Sequence, residues 1–231
     1  MSCCIFPALL GVNAAFGQEL KLQNKPYIDL RKFHYGFMLG LHHESLSLKN
    51  NGLIDPETGR QWLASNDQFS PSFTVGVLGE WRLDRYFSFR VLPTMHFGSK
   101  HVTFRDQMSD ERVYQDVKST YISVPFDIKF SAPRFNNYRP YFFFFFYLMY
   151  DLTTKNDQYI KLQPFNSSFV IGFGCDYYLP FFKFIPELKF CIGLNNVLEK
   201  DRKDLQDKTK EIFTQSIDRA CTNMVVLTFY F

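Results

Sequence analysis

No stretch of this 231-residue chain reaches the roughly 18 to 20 consecutive apolar residues that a membrane-spanning helix requires. The longest run, residues 141–150, is about half that length. Charge of one sign is also missing. The 26 Lys and Arg stand against 23 Asp and Glu, and a net charge of +3, evenly spread, excludes a nucleic-acid surface. Cysteine is sparse: Cys3 and Cys4 come at the start, and Cys175, Cys191 and Cys221 follow far downstream. An odd number without C-x-x-C spacing implies neither a disulfide framework nor a metal knuckle. Each of the last three sits in an apolar stretch as a small hydrophobe. There is no glycine-rich phosphate loop, because Gly172-Phe173-Gly174 falls inside a strand pattern, where small residues relieve crowding. No cofactor is implied.

Aromatic residues are abundant: 28 Phe, 13 Tyr and 2 Trp make up 19% of the chain. So aromatic a sequence can bury a core, which excludes disorder. Residues 1–18 read as an export signal, with an apolar run at 5–12 followed by the small residues Ala14, Ala15 and Gly17. No Lys or Arg precedes that run. A periplasmic amino-terminal segment is expected over 19–32, and a single domain over 33–231.

From Phe33 the dominant signal has period two, which places alternate side chains on opposite faces of a strand. Phe33, Tyr35, Phe37, Leu39 and Leu41 alternate with His34, Gly36, Gly40 and His42. The pattern recurs around Phe73–Leu83, Phe87–Phe97, Ile122–Phe130, Phe165–Tyr177, Phe184–Leu194 and Val225–Phe231. In 141–150 both faces are aromatic, so periodicity fails and position alone assigns a strand. Eight strands result. Long polar segments, 49–70, 99–118, 151–164 and 196–218, follow the odd strands; short turns follow the even ones. Within the last long segment, 199–210 is dense in charge and could form a turn or two of surface helix.

Long loops on one side and short turns on the other match an eight-stranded antiparallel transmembrane β-barrel, all-β, with short periplasmic turns and long extracellular loops. A lipocalin-like soluble barrel would bury its apolar face inside. Here the inward row carries Glu80, Arg82, Arg90, His96, Asp127, Lys129, Asp176, Glu187 and Lys189, too many ionisable groups for a dry core. Paired with one another, Glu80, Arg82, Arg90, Asp127, Lys129, Asp176, Glu187 and Lys189 form a structural charge network in a polar lumen. Outer-membrane lipids face the other side. Eight strands leave no wide aqueous channel, which disfavours a porin.

The histidines offer two candidate sites of chemistry. His42-His43-Glu44 resembles a metal-ligand cluster, but adjacent strand residues point to opposite faces, so no metal site is expected. A lipid A-modifying barrel enzyme needs a His, a Ser and a carboxylate within reach at the outer rim. His42, Ser45 and Glu44 form one such local set, and His96 with Ser99 another; neither has a distinguishing spacing, so no catalytic residue is assigned.

Tyr121-Ile122-Ser123-Val124-Pro125-Phe126-Asp127-Ile128-Lys129-Phe130, followed by Asn137-Tyr138-Arg139-Pro140-Tyr141, resembles the PorT family of Bacteroidota outer-membrane barrels. Leu78-Gly79-Glu80-Trp81-Arg82 with Tyr86-Phe87-Ser88 looks like that family's second hairpin. The chain departs from it in the Phe run of 141–146, where relatives carry small residues. The resemblance implies a place in the bacterial outer membrane and support of type IX protein secretion, alongside other membrane or periplasmic secretion proteins. It implies no enzymatic activity. A generic structural or adhesion barrel is the first alternative, and the lipid A-modifying enzyme the second.

Overall fold

The computed structural model describes residues 23–55, 58–66, 69–109, 111–153, 159–202 and 210–231. The expected signal segment 1–18, with Cys3 and Cys4, lies outside the described residues. A 3₁₀ turn, Ile28–Leu30, precedes β1 (Phe33–Asn50), β2 (Trp62–Ser65), β3 (Pro71–Arg82) and β4 (Phe87–Val91). Next come β5 (Thr94–Asp106), β6 (Arg112–Ser123), β7 (Phe126–Ser131) and β8 (Tyr138–Asp151). The chain finishes with β9 (Phe165–Tyr178), β10 (Lys183–Gly193), the short helix α1 (Glu211–Gln215) and β11 (Ile217–Tyr230).

All strands pair antiparallel in one sheet. Stepping from strand to neighbouring strand, the register runs Phe33, Trp81, Phe89, Ile128, Phe144, Ile171, Phe190, Val225 and back to His43. This path crosses eight strands and returns to β1 ten residues beyond its start. The sheet therefore closes on itself with a stagger, and no edge is left along that path.

The strand count exceeds eight for two reasons. Pro93 separates β4 from β5, and Pro125 separates β6 from β7, because proline has no N–H for the ladder. The ladder nevertheless continues through their carbonyls: Val77 N–H donates to Pro93 O at 3.1 Å, and Leu92 N–H to Pro125 O at 3.2 Å. Side-chain parity also survives, with Arg90, Leu92, Thr94 and His96 all buried. Each broken pair is thus one stave of the ring. The extra strand, β2, arises inside the expected loop 49–70 and pairs with the far end of β5, Trp62 opposite Asp106.

The expected loop 99–118 is corrected as well: β5 and β6 run far past the ring and pair up to Arg105 opposite Arg112. A stretch expected as solvated loop instead alternates, with Val102, Phe104 and Val117 buried. In the charged segment 199–210, residues 203–209 lie outside the described residues and 199–202 are not helical; the helix comes just after, as α1.

The alternation fixes two faces. Inward residues of β8, Tyr141, Phe143, Tyr147 and Met149, are buried, while Phe142, Phe144, Phe146, Leu148 and Tyr150 are exposed. The aromatic run that defeats periodicity therefore still obeys it geometrically.

Candidate functional site

At the turn end of the ring, lysines and carboxylates interlock. Lys129 Nζ lies 2.9 and 3.0 Å from the two oxygens of Asp176 and 3.5 Å from Glu80 Oε1. Lys183 Nζ stands 2.9 Å from Asp176 Oδ2 and 3.9 Å from Glu80 Oε2. One step further in, Arg90 donates to Asp127 Oδ2 at 3.0 Å and to Glu187 Oε1. Glu187 Oε2 also accepts from Tyr230 OH at 2.9 Å, and Lys189 Nζ lies 3.3 Å from it. Aromatic faces cover the cations: Lys129 Nζ is 3.9 Å from the Tyr141 ring centre, and Arg90 Cζ 4.7 Å from that of Phe143.

Above lies a layer of hydroxyls and imidazoles. Thr74 Oγ1 is 2.8 Å from His42 Nδ1 and 2.9 Å from His96 Nδ1. One hydroxyl has one proton, so it donates to at most one of the two imidazoles, and at least one ring presents an Nδ1–H to it. His96 Nε2 is 3.2 Å from the hydroxyls of Thr94 and Ser123. Lys100 then reaches Glu44 Oε1 at 3.1 Å and donates to Tyr121 OH and, at 3.4 Å, to Thr222 Oγ1.

The interior cations Arg90, Lys100, Lys129, Lys183 and Lys189 lie among the carboxylates Glu44, Glu80, Asp127, Asp151, Asp176 and Glu187, and every one is buried. Such ions survive burial when paired, as these cations are, although Glu44 Oε1 and Oε2, Glu80 Oε2 and Asp127 Oδ1 accept no hydrogen bond. The space they occupy is full, with Arg90 and Phe143 both at 0% exposure.

Of the eight charges expected inside, seven join this interior. Arg82 sits apart at the turn end, half-buried, with Nη2 3.1 Å from Asp29 Oδ1. Asp29 gathers further donors: Tyr178 OH at 2.8 Å and Arg134 Nη1 at 3.2 Å. Burial opposes its ionisation, but the hydrogen bonds from Tyr178, Arg134 and Arg82 outweigh that and hold its carboxyl below the usual value of 3.8. Asn24 N–H donates to Asn137 Oδ1 at 2.8 Å, so residues 24–32 form a strap across this mouth.

The opposite mouth is shut by an apolar cap. Leu46, Trp62, Phe104, Val117, Ile160, Val197, Phe213 and Ile217 pack in one buried cluster. The Phe213 ring is 4.9 Å from each of Trp62, Phe104 and Tyr159. Polar bonds fasten the loops: the Gln115 amide bonds both Ile160 N–H, 2.9 Å, and Ile160 O, 3.0 Å. The Asn50 amide does the same for the backbone of Ala64 on the free side of β2.

Neither histidine set assembles. His42, Glu44 and His96 face inward, whereas Ser45 and Ser99 lie on the alternate, outer parity. His43 also faces out, stacked on Phe69 at 4.4 Å. Among the described residues no group of three or more His, Cys, Asp or Glu is placed to hold a metal ion. Glu44, Lys100 and Lys183 join the network in addition to the charges expected inside. Their signal was parity: Lys183 precedes Phe184 by one, and Lys100 follows Gly98 by two.

A polar, ion-filled interior under an apolar exterior is the reverse of a soluble barrel. A family model described as an outer membrane protein beta-barrel domain matches residues 16–199. The chain belongs to that family. It is an outer-membrane protein. Among solved structures it is similar to Ail, the attachment invasion locus protein of Yersinia pestis, solved in complex with the heparin analogue sucrose octasulfate. That match has 12% identity and TM-score 0.38, covering 87% of this chain and 98% of that one. It is also similar to OprG of Pseudomonas aeruginosa, with 12% identity and TM-score 0.43, covering 85% of this chain and 91% of that one. No curated protein matches.

Proposed function

We propose that the chain is an eight-stranded barrel that spans the outer membrane with a closed interior and acts through its two ends. The filled, ion-paired lumen carries this reading. On β1 the outward row from Phe33 to Leu41 is apolar and exposed. At about 3.4 Å per residue and a tilt near 40° it covers about 20 Å, close to the apolar band of such barrels. The short turns 83–86, 132–137 and 179–182 face the periplasm, and the cap faces outward.

A barrel plugged by its own side chains serves poorly as a conduit and suits an accessory or assembly role. The finer assignment is support of type IX protein secretion, with other membrane or periplasmic secretion proteins as partners. It rests on the resemblance of residues 121–130 and 137–141 to the PorT family. No enzymatic step is assigned, since His42 and His96 face away from Ser45 and Ser99. The test is deletion of the gene, followed by proteomics of supernatant and periplasm. Accumulation of type IX cargo in the periplasm supports the role, and normal export removes it.

The folded outer cap favours a second reading, a surface-binding barrel that works through its cap. Normal export combined with loss of surface attachment in the same deletion strain would select it.

A further inference from the structure

We propose that the periplasmic mouth carries a binding cleft for the carboxylates of an acidic peptide, with Asp29 as its resident intramolecular occupant. The inference rests on the orientation given above. A cleft of about 530 Å³ opens beside Asp29, walled by Arg82, Arg85, Arg134 and Arg139 with Leu30 and Pro133. That volume lies within the range of small-ligand sites. Three of these guanidiniums, from Arg82, Arg134 and Arg139, share one carboxylate there. Asp84, in the same turn as Arg85, is exposed and forms an ion pair with none of the four.

The donors divide into those already used and those that are not. Arg134 holds the strap, giving Nη1 to Asp29 Oδ2 at 3.2 Å and to Lys25 O at 3.3 Å, and Nη2 to Asn24 O. Arg139 spends Nε on Ala132 O, 2.8 Å, and Nη2 on Arg85 O, which ties two turns together. Its Nη1 stands 3.8 Å from Asp29 Oδ1, beyond hydrogen-bond distance. Arg85 lies over the Tyr86 ring at 5.8 Å and has no carboxylate partner among the described residues.

Arg134 and Arg139 have side chains exposed by only 8% and 7%, so their charge is focused into the cleft rather than dispersed in solvent. Stapling a strap accounts for the bonds to carbonyls. It does not account for Arg85 or the remaining nitrogen of Arg139. Planar forks of this kind match carboxylates bidentately. The occupant already present is a carboxylate on a peptide, beside the apolar Leu30 and Pro133, which favours a polypeptide over a bare phosphate.

The test is calorimetric titration of the full-length protein in detergent micelles at low salt, with tetra-aspartate and, separately, inorganic phosphate. Tetra-aspartate binds, Arg85→Gln weakens it about tenfold, the loss of one charge-assisted hydrogen bond, and Asp29→Asn tightens it by removing the competitor. Arg85 is exposed, so Arg85→Gln leaves the barrel folded. Three results overturn the proposal: no binding by either wild type or Asp29→Asn, binding indifferent to Arg85→Gln, or phosphate binding at least as tightly as tetra-aspartate. Micelles leave both ends of the barrel in solvent, so failure here does not touch the membrane orientation.

Discussion

Tyr141 of β8 lies directly opposite Gly174 of β9, and a Cβ on that glycine would fall 2.6 Å from the Tyr141 hydroxyl oxygen. The neighbouring pair repeats the device: Phe143 faces Gly172, where a Cβ would strike the Phe143 ring. Two bulky inward rings on β8 are thus admitted by two glycines on β9. Gly174→Ala displaces Tyr141 from Glu187 and overpacks a full interior, at a cost of about 1–3 kcal/mol. A urea titration of the folded barrel, followed by its electrophoretic mobility, is expected to shift to lower urea. Gly79→Ala, with nothing closer than 3.7 Å, shifts it far less.

Arg90 is the centre of the interior, and its loss strands a buried carboxylate. Arg90→Ala leaves Asp127 without its ion-pair partner and Glu187 with Lys189 alone, a cost of about 3–5 kcal/mol. The triple variant Arg90→Met, Asp127→Asn, Glu187→Gln recovers part of it. Refolding yield into micelles distinguishes the two. Equal yields for the two variants would mean that stranded carboxylate charge is not what Arg90→Ala costs.

The cap is separable from the barrel. Phe213→Ala removes a ring in contact with three others and costs about 3–5 kcal/mol locally. Because the staves of the ring do not depend on that cluster, the outer segments become protease-sensitive while the barrel stays resistant. Limited proteolysis of intact cells or micelles reads this directly.

The strap is expected to resist mild acid. The Asp29 carboxyl is held below its ordinary value, so its contribution is complete above the unfolded value near 3.8 and is lost only as pH falls beneath it through the folded one. Hydrogen exchange of residues 24–32 stays slow from pH 7 to 5. Asp29→Asn speeds it at every pH, and a wild-type strap already loose at pH 5 would contradict the assignment.

Much of this was legible in period-two patterning, because a closed sheet with unlike faces writes its parity into every stave. Glu80, Arg90, Asp127, Lys129, Asp176, Glu187 and Lys189 followed from parity alone. What parity could not give was the reach of β5 and β6 beyond the ring, since His101, Arg105 and Arg112 look like loop composition although Val102 and Phe104 between them are buried. The cap brings residues from 46 to 220 together by tertiary packing, which leaves no local signature. Asp29 was invisible for the same reason: its partners Arg82, Arg134 and Tyr178 lie 53, 105 and 149 residues away.

The most direct test of the account is single-channel recording of the purified protein in a planar lipid bilayer. A lumen filled by Arg90, Phe143, Lys129 and their partners, strapped at one mouth and capped at the other, predicts insertion without conductance steps. Stable, voltage-insensitive open steps from wild-type protein would contradict the closed barrel.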